Sequence, residues 1–527
     1  MVRIHALTLG CAFLLADAAP AGTKLFQVLG DGSGDLWGHS VDGAGDVNQD
    51  GYRDFIVGAR DGYVRVLSGK DASLIHQWTK SSDIDAVAGV GDVNGDGYDD
   101  VAMGGANIVW VYSGKTGQLY WSAVLATGGD FGFSIAGAGD VNADGYDDVI
   151  VGDPYSDAVN TDGGRAYVLS GLNAAILYTL NGASYQGYLG YSVSTAGDIN
   201  RDGYDDVLVG EPHLYYFVGY TGAIYVYSGK DGAVLGSLTG PGGWFGFSVS
   251  GGQDTNQDGW PDFVVGTPYL FESVPGKAFL YSGKTFSVLH QWVGTENGDL
   301  FGWSVSLSGD VNGGGFPDVI VGAPEDSSIY YQGTATIFSG SSGTELTKYF
   351  GNGCDRFGDA VSDLGDLNHD GHADVIVADP SNDSQLTNRG DVFVFSGKDY
   401  DASWINYGSG WPGTNGVPSI TLSADPVICS TIDLQIGNSR GSQTVGSLFV
   451  GLAEGSIPTN LGGTLLVAPP WTIVTLPIPA AGVNLPVQVL CDSALLGLSV
   501  YLQILENDGG ASSGVSFSKG LKVVHGL

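Results

Sequence analysis

Short apolar runs rich in Val and Ile recur along this chain, and an acidic turn precedes each one. They read DFIVGA at 54–59, DVAMGG at 100–105, DVIVGD at 148–153, DVLVGE at 206–211, DFVVGT at 262–267, DVIVGA at 318–323 and DVIVAD at 374–379. Such β-branched runs of four to eight residues predict buried strands. Most repeats open with FG-x-S-V/I, as in Phe131-Gly132-Phe133-Ser134-Ile135. A third run ends in Ser-Gly, as in AIYVYSG at 223–229, and a fourth reads like AILYTLNG at 175–182. The pattern predicts four short strands per unit and no helical periodicity. Four-stranded units repeated at this spacing are the signature of a β-propeller.

The acidic turn has the form D-x-N-x-D-G-x-x-D. Its seven copies begin at Asp46, Asp92, Asp140, Asp198, Asp254, Asp310 and Asp366, separated by 46, 48, 58, 56, 56 and 56 residues. Oxygen side chains at loop positions one, three, five and nine, with a position-seven carbonyl, suit Ca²⁺, which takes about six to eight hard oxygen ligands. Position six is Gly, where a tight loop needs an unusual backbone conformation. The candidate ligands are Asp46, Asn48, Asp50, Tyr52 and Asp54; Asp92, Asn94, Asp96, Tyr98 and Asp100; and Asp140, Asn142, Asp144, Tyr146 and Asp148. They continue with Asp198, Asn200, Asp202, Tyr204 and Asp206; Asp254, Asn256, Asp258, Trp260 and Asp262; and Asp366, Asn368, Asp370, His372 and Asp374. The position-seven residues enter through their carbonyls. The sixth copy has Gly314 at position five, so Asp310, Asn312 and Asp318 are expected to form a weak or empty site. An EF-hand would need an acid at position twelve, which here is Val57, Met103, Val151, Val209, Val265, Val321 or Val377. The expected ion therefore sits in a β-hairpin loop, and position nine closes its site. No Cys or His accompanies the loops as a set, which leaves Zn²⁺ without support.

The unit FG…D-x-N-x-D-G-x-x-D…V-G-A-P resembles the FG-GAP repeat of the integrin α-subunit N-terminal propeller, over roughly Lys24 to Asp401. The resemblance implies a seven-bladed propeller with Ca²⁺ in the hairpin loops of one face and ligands bound on the other. The chain departs from that family in carrying an ion loop on almost every blade. In repeat two, Ile84-Asp85-Ala86-Val87 stands in place of the FG motif. The 48-residue step from the second loop to the third leaves no room for an inserted domain, and no membrane-spanning segment follows. The expectation is thus an integrin-like propeller and not an integrin subunit. Lys24 to Leu29 is expected to complete the seventh blade, with Ser403 to Tyr407 as the competing segment.

Composition adds a compartment. The chain has 57 acidic and 20 basic residues, a net charge of −37, which disfavours nucleic acid and anionic membranes as partners. Arg3 followed by an apolar stretch from Ala6 to Ala16 reads as a signal peptide, too short to span a bilayer. Export fits the weak affinity expected of extracellular Ca²⁺ modules. Cys429 and Cys491 could pair in an oxidising compartment, leaving Cys354 over. From about Trp411 the pattern changes to short alternating runs, which predict a β-sandwich. Its opening, YGSGWPGTNGVP, resembles a small C-terminal module of secreted bacterial repeat proteins, in which the position of Trp411 is often Cys. The expected organisation is an all-β chain: signal peptide 1–21, seven-bladed propeller 22–402, linker 403–418 and β-sandwich 419–527.

Long loops after V-G-x-P in repeats three to seven place aromatics on the face opposite the acidic turns. The candidates for ligand binding are Tyr155, His213, Tyr215, Tyr216, Phe217, Tyr269, Phe271, Tyr330 and Tyr331. Such clusters suit a protein hot spot or sugar stacking. Arg389-Gly390-Asp391 spells an adhesion tripeptide at a position where other repeats simply begin their third strand. No catalytic constellation is present. Ser134, Ser192 and Ser248 recur as repeat positions, and the eight His are scattered. The expected function is a secreted, monomeric Ca²⁺-binding propeller that adheres to an extracellular protein or cell-surface partner. A lectin-like polysaccharide binder is the alternative, and a polysaccharide-active enzyme is the least favoured.

Overall fold

The fold is taken from a computed structural model of the chain. It describes residues 24–125, 128–213, 221–269, 274–324, 333–351, 356–381, 389–397, 403–407, 409–423, 431–459, 464–469, 471–488 and 499–524. The expected signal peptide and all four Cys lie outside these residues. Two compact units result, Pro20–Lys398 and one containing Asp399–Leu527.

The β-branched runs become the second strand of each blade, and in all seven blades every residue of that strand is buried. Alternation elsewhere sets which face is wetted. In the first blade the strands are Trp37–Gly45, Asp54–Ala59, Tyr63–Leu67 and Leu74–Thr79, paired in that order. The outermost strand alternates exposed and covered positions, so Leu74 stays 54% exposed. Among the described residues the first unit holds seven such four-stranded antiparallel sheets. Their innermost strands follow one another round a ring, the seventh, Val361–Gly365, returning to the first.

One hydrophobic core fills each junction between neighbouring blades. Its leading member is the residue before the FG-motif glycine: Trp37, Phe131, Leu189, Phe245, Phe301 and Phe357 are all buried there. Repeat two uses Ile84, 1% exposed, for the same slot, so the missing motif costs it ring area but not burial. The following glycine has positive φ, 85° at Gly190, and an added Cβ there would lie 2.1 Å from the Arg165 carbonyl oxygen. The motif serine is a staple. Ser134, Ser192, Ser248 and Ser304 each donate to the glycine carbonyl of the next blade at 2.8–3.0 Å.

The ring closes through the chain's first strand. Lys24–Leu29 pairs antiparallel with Asp391–Phe395 and becomes the outer strand of the seventh blade, with Phe26 opposite Val394 and Val28 opposite Val392. The competing segment, Ser403–Tyr407, pairs instead with Gly520–Val524 in the second unit. The expected linker at 403–418 therefore begins with a strand of the C-terminal sheet. That sheet has six strands and faces a three-stranded one across a shared core that includes Ile432, Leu434, Ile478, Ile504 and Leu521. Among the described residues no helix is long and apolar enough to cross a membrane.

Candidate metal loops and the opposite face

Each acidic turn joins the innermost strand of a blade to its buried second strand. Its shape comes from carboxylates accepting backbone N–H groups. In the third copy Asp140 accepts from the N–H groups of Asp144 (3.0 Å) and Gly145 (2.9 Å), and Asp144 accepts from Tyr146 (3.1 Å). Position six is left-handed in every copy, φ 88° at Gly145. Position four is left-handed too, although it is Gln49, Ala143, Arg201, Gln257 or His369 in five copies. A non-glycine residue there costs on the order of 1 kcal/mol or more, a strain that persists only where surrounding contacts over-determine the loop.

Position nine lies at the base of each loop. Asp54, Asp100, Asp148, Asp206, Asp262, Asp318 and Asp374 are all 0% exposed. Asp148 accepts from the N–H of Val141 (3.2 Å) with one oxygen and of Gly171 (2.9 Å) with the other, tying the loop to the end of the third strand. The same pair of hydrogen bonds recurs at Asp54, Asp206, Asp262, Asp318 and Asp374. Burial pushes these carboxyls up, to about 7 at Asp54, Asp100, Asp148 and Asp374. The loop carboxylates at positions one and five push the same way, as Asp140 and Asp144 do on Asp148. A cation in the loop would reverse that balance.

Among the described residues no three His, Cys, Asp or Glu side chains converge as a metal-holding group. With position nine turned onto backbone donors, each intact loop offers the position-one and position-five carboxylates, an Asn oxygen and the position-seven carbonyl. That all-oxygen set fits a hard divalent cation in its chemistry. The sixth loop keeps the fold without the position-five acid: Gly315 donates to Asp310 at 2.7 Å, while Asp310 Oδ1 is buried with no hydrogen-bond partner. Lysines from the Ser-Gly-Lys turns lie over the position-seven rings, Lys115 over Tyr98 at 4.4 Å and Lys284 over Trp260 at 3.8 Å. Lys230 and Lys284 also come within 3.8 and 3.9 Å of the position-five carboxylates Asp202 and Asp258.

The three described members of the predicted aromatic face, Tyr155, His213 and Tyr269, pack against neighbouring groups. Tyr155 packs edge-on against Tyr188 (5.5 Å) and Phe133 (5.9 Å). Tyr269 is 7% exposed, its ring against Gly243. His213 lies 3.5 Å from Glu211, and burial lowers its pKa against that carboxylate's pull. Tyr215, Tyr216, Phe217, Phe271, Tyr330 and Tyr331 lie outside the described residues. The adhesion-like tripeptide is structural. Arg389 and Asp391 are 8% and 1% exposed, and a Cβ on Gly390 would lie 2.1 Å from the Trp37 carbonyl oxygen.

The sequence reading missed a second aromatic group, at the third position of FG-x-S. Phe133, Tyr191, Phe247 and Trp303 come from four successive blades and form an arc at the start of the innermost strands. Their centroids are 4.8, 4.9 and 4.5 Å apart in that order. Arg356 caps the arc over Trp303 at 4.9 Å and donates to Asp359 at 2.9 Å. The remaining blades place Asp359, His39 and Asp85 at the same position. Burial lowers the His39 pKa against the pull of Asp359 and pushes Asp85 up to about 6. The mouth of the ring is therefore apolar on one side and charged on the other.

The repeats also match known proteins. The FG-GAP repeat family matches residues 189–227, 245–280 and 301–338, and an FG-GAP-like repeat matches 92–151. Integrin alpha-5 of Xenopus laevis is 34% identical over 201 residues, 34% of this chain and 19% of that protein. Integrin alpha-4 of Xenopus laevis is 30% identical over 206 residues, 37% of this chain and 19% of the relative. Human integrin alpha-7 is 35% identical over 166 residues, 29% of this chain and 14% of the relative. The chain thus spans about a fifth or less of the length of these relatives. It carries FG-GAP repeats similar to those of integrin α subunits, folded as the four-stranded blades of a β-propeller.

Proposed function

We propose that this chain is a secreted, calcium-binding adhesion module that recognises a protein partner with the face opposite its acidic loops. The observation that carries the reading is the arc of Phe133, Tyr191, Phe247 and Trp303 on a closed propeller of integrin-like repeats. Three of these rings are only half-buried, and large aromatic surfaces beside charged groups are typical anchors of protein interfaces. A net charge of −37 favours a partner with a basic surface.

Calcium's part is to neutralise and order the opposite loops. Asp46, Asn48, Asp50 and the Tyr52 carbonyl would hold the ion in the first loop, and their counterparts would do so in loops two to five and seven. The reading is supported by the all-oxygen donor set, the left-handed position-four residues and loop carboxylates that outnumber the lysines beside them.

The test uses labelled protein on intact cells of the producing organism, in calcium, before and after mild protease or glycosidase treatment. Binding lost to protease and lost in the Tyr191→Ala, Trp303→Ala double variant supports the proposal. Binding lost to glycosidase alone makes the chain a polysaccharide binder. Undiminished binding by the double variant assigns the partner to another face.

A further inference from the structure

The acidic loops are not isolated from one another. In loops two, three and four position eight is Asp99, Asp147 or Asp205, and it lies against the residue that opens the preceding loop. Each accepts a hydrogen bond from the N–H of the first acid of the preceding loop: Asp46 to Asp99 at 2.8 Å, Asp92 to Asp147 at 2.9 Å and Asp140 to Asp205 at 3.1 Å. The approach is close enough to dictate glycine before each of those acids. A Cβ on Gly45, Gly91 or Gly139 would come within 2.1–2.2 Å of the same carboxylate oxygen.

The later junctions are made differently. Position eight is Pro261 in loop five, Pro317 in loop six and Ala373 in loop seven, and none has a side-chain acceptor. There the carboxylate link is missing, and only side-chain contacts like the one Gln49 makes to the Gly97 carbonyl remain: Arg201 to the Gly259 carbonyl and, at 3.6 Å, over the Trp260 ring, and Gln257 to the Gly315 carbonyl at 2.8 Å, with the Ala373 N–H meeting the Asp310 carbonyl at 2.9 Å. Exposed side-chain contacts of this kind contribute little.

We infer that loops one to four are a coupled array in which Asp99, Asp147 and Asp205 transmit calcium occupancy from blade to blade. The inference rests on the calcium reading above. Each of these carboxylates sits in the chain between the position-seven carbonyl and the position-nine carboxylate of its own loop, while it grips the backbone of the first ligand of the previous loop. An ion that fixes one loop therefore fixes the first ligand of its neighbour, and the second ion binds a loop already ordered. Such coupling is reciprocal and gives positive cooperativity. Loop five stands outside the array.

The position-seven rings allow the two groups to be read separately. Loops one to four carry Tyr52, Tyr98, Tyr146 and Tyr204, whereas loop five carries Trp260. Terbium, which replaces calcium in oxygen sites and emits when a nearby ring is excited, is the probe, added to the whole chain after chelation. Emission through Tyr should rise sigmoidally, with a Hill coefficient of about 1.5 or more. Emission excited where Trp alone absorbs should rise as a simple hyperbola. Asp147→Ala should bring the Tyr-sensitised curve towards a coefficient of 1. Asp147→Asn, which retains an acceptor, should keep most of the cooperativity and guards against a merely misfolded Ala variant. Gln257→Ala should change neither curve. A hyperbolic Tyr-sensitised curve in the unaltered protein, or an unchanged coefficient in Asp147→Ala, overturns the coupling and leaves calcium binding standing. Absence of any sensitised emission, with no heat on calcium titration, overturns both.

Discussion

At the scale of single residues, the position-nine aspartates hold the loops. Their place was legible because D-x-N-x-D-G-x-x-D fixes it, and the spacing marked them as closing ligands. Sequence could not show that the oxygens of Asp148 are turned onto the backbone, since the Gly171 N–H that meets it lies 23 residues away. Removing Asp148 should therefore cost stability even without calcium. Two buried N–H groups would lose their acceptor, so Asp148→Ala should destabilise by about 2–4 kcal/mol, measured by denaturant unfolding in chelator. A second residue-scale effect lies on the innermost strands. Burial pushes Asp363 up to about 6, with Asp42 adding to the shift and Arg53 opposing it. A carboxyl whose folded pKa exceeds its unfolded value gives most stability when protonated, and that contribution is lost as pH rises from about 4 through 6. Asp363→Asn should flatten this loss and gain of order 1 kcal/mol at pH 7 relative to its effect at pH 4. Unfolding curves at the two pH values provide the check.

At the scale of the strand and the loop, periodicity carried most of the reading. The VIVG runs announced the buried second strands, and the motif phenylalanines marked the junction cores. Phe131, buried against Tyr167 at a centroid distance of 5.5 Å, should cost about 3–5 kcal/mol when cut to Ala. Ile84 shows that the slot accepts another apolar shape. The arc of Phe133, Tyr191, Phe247 and Trp303 escaped notice for a physical reason. Its members are far apart in sequence and share no residue type with Asp359, His39 and Asp85 of the other blades. Only the curvature of the ring brings them together. Composition drew attention to Tyr155 and Tyr269, but it could not show that both rings are packed on neighbouring segments.

At the scale of the whole molecule, closure decides stability. The first strand supplies the outer edge of the last blade, so the two ends of the propeller are held together by one antiparallel pairing. Two segments fitted that role by sequence, and pairing energy alone could not choose between them. The choice follows from where each strand finds a partner edge, Lys24–Leu29 beside Asp391–Phe395 and Ser403–Tyr407 beside Gly520–Val524. A chain that starts at Gly30 should leave Asp391–Phe395 as an open edge. It should melt well below the full chain and associate on warming, as light scattering would show.

The loops present the larger question, because a net charge of −37 is concentrated partly in turns that lack enough positive charge to balance them. Apposed carboxylates in such turns repel, and an ion that binds only the folded form stabilises it in proportion to the logarithm of its concentration over its Kd. The most direct measurement is the thermal unfolding of the protein in millimolar calcium and again in chelator. The account predicts a clearly higher Tm in calcium, rising further with calcium concentration. Superimposable melting curves in the two buffers would contradict it.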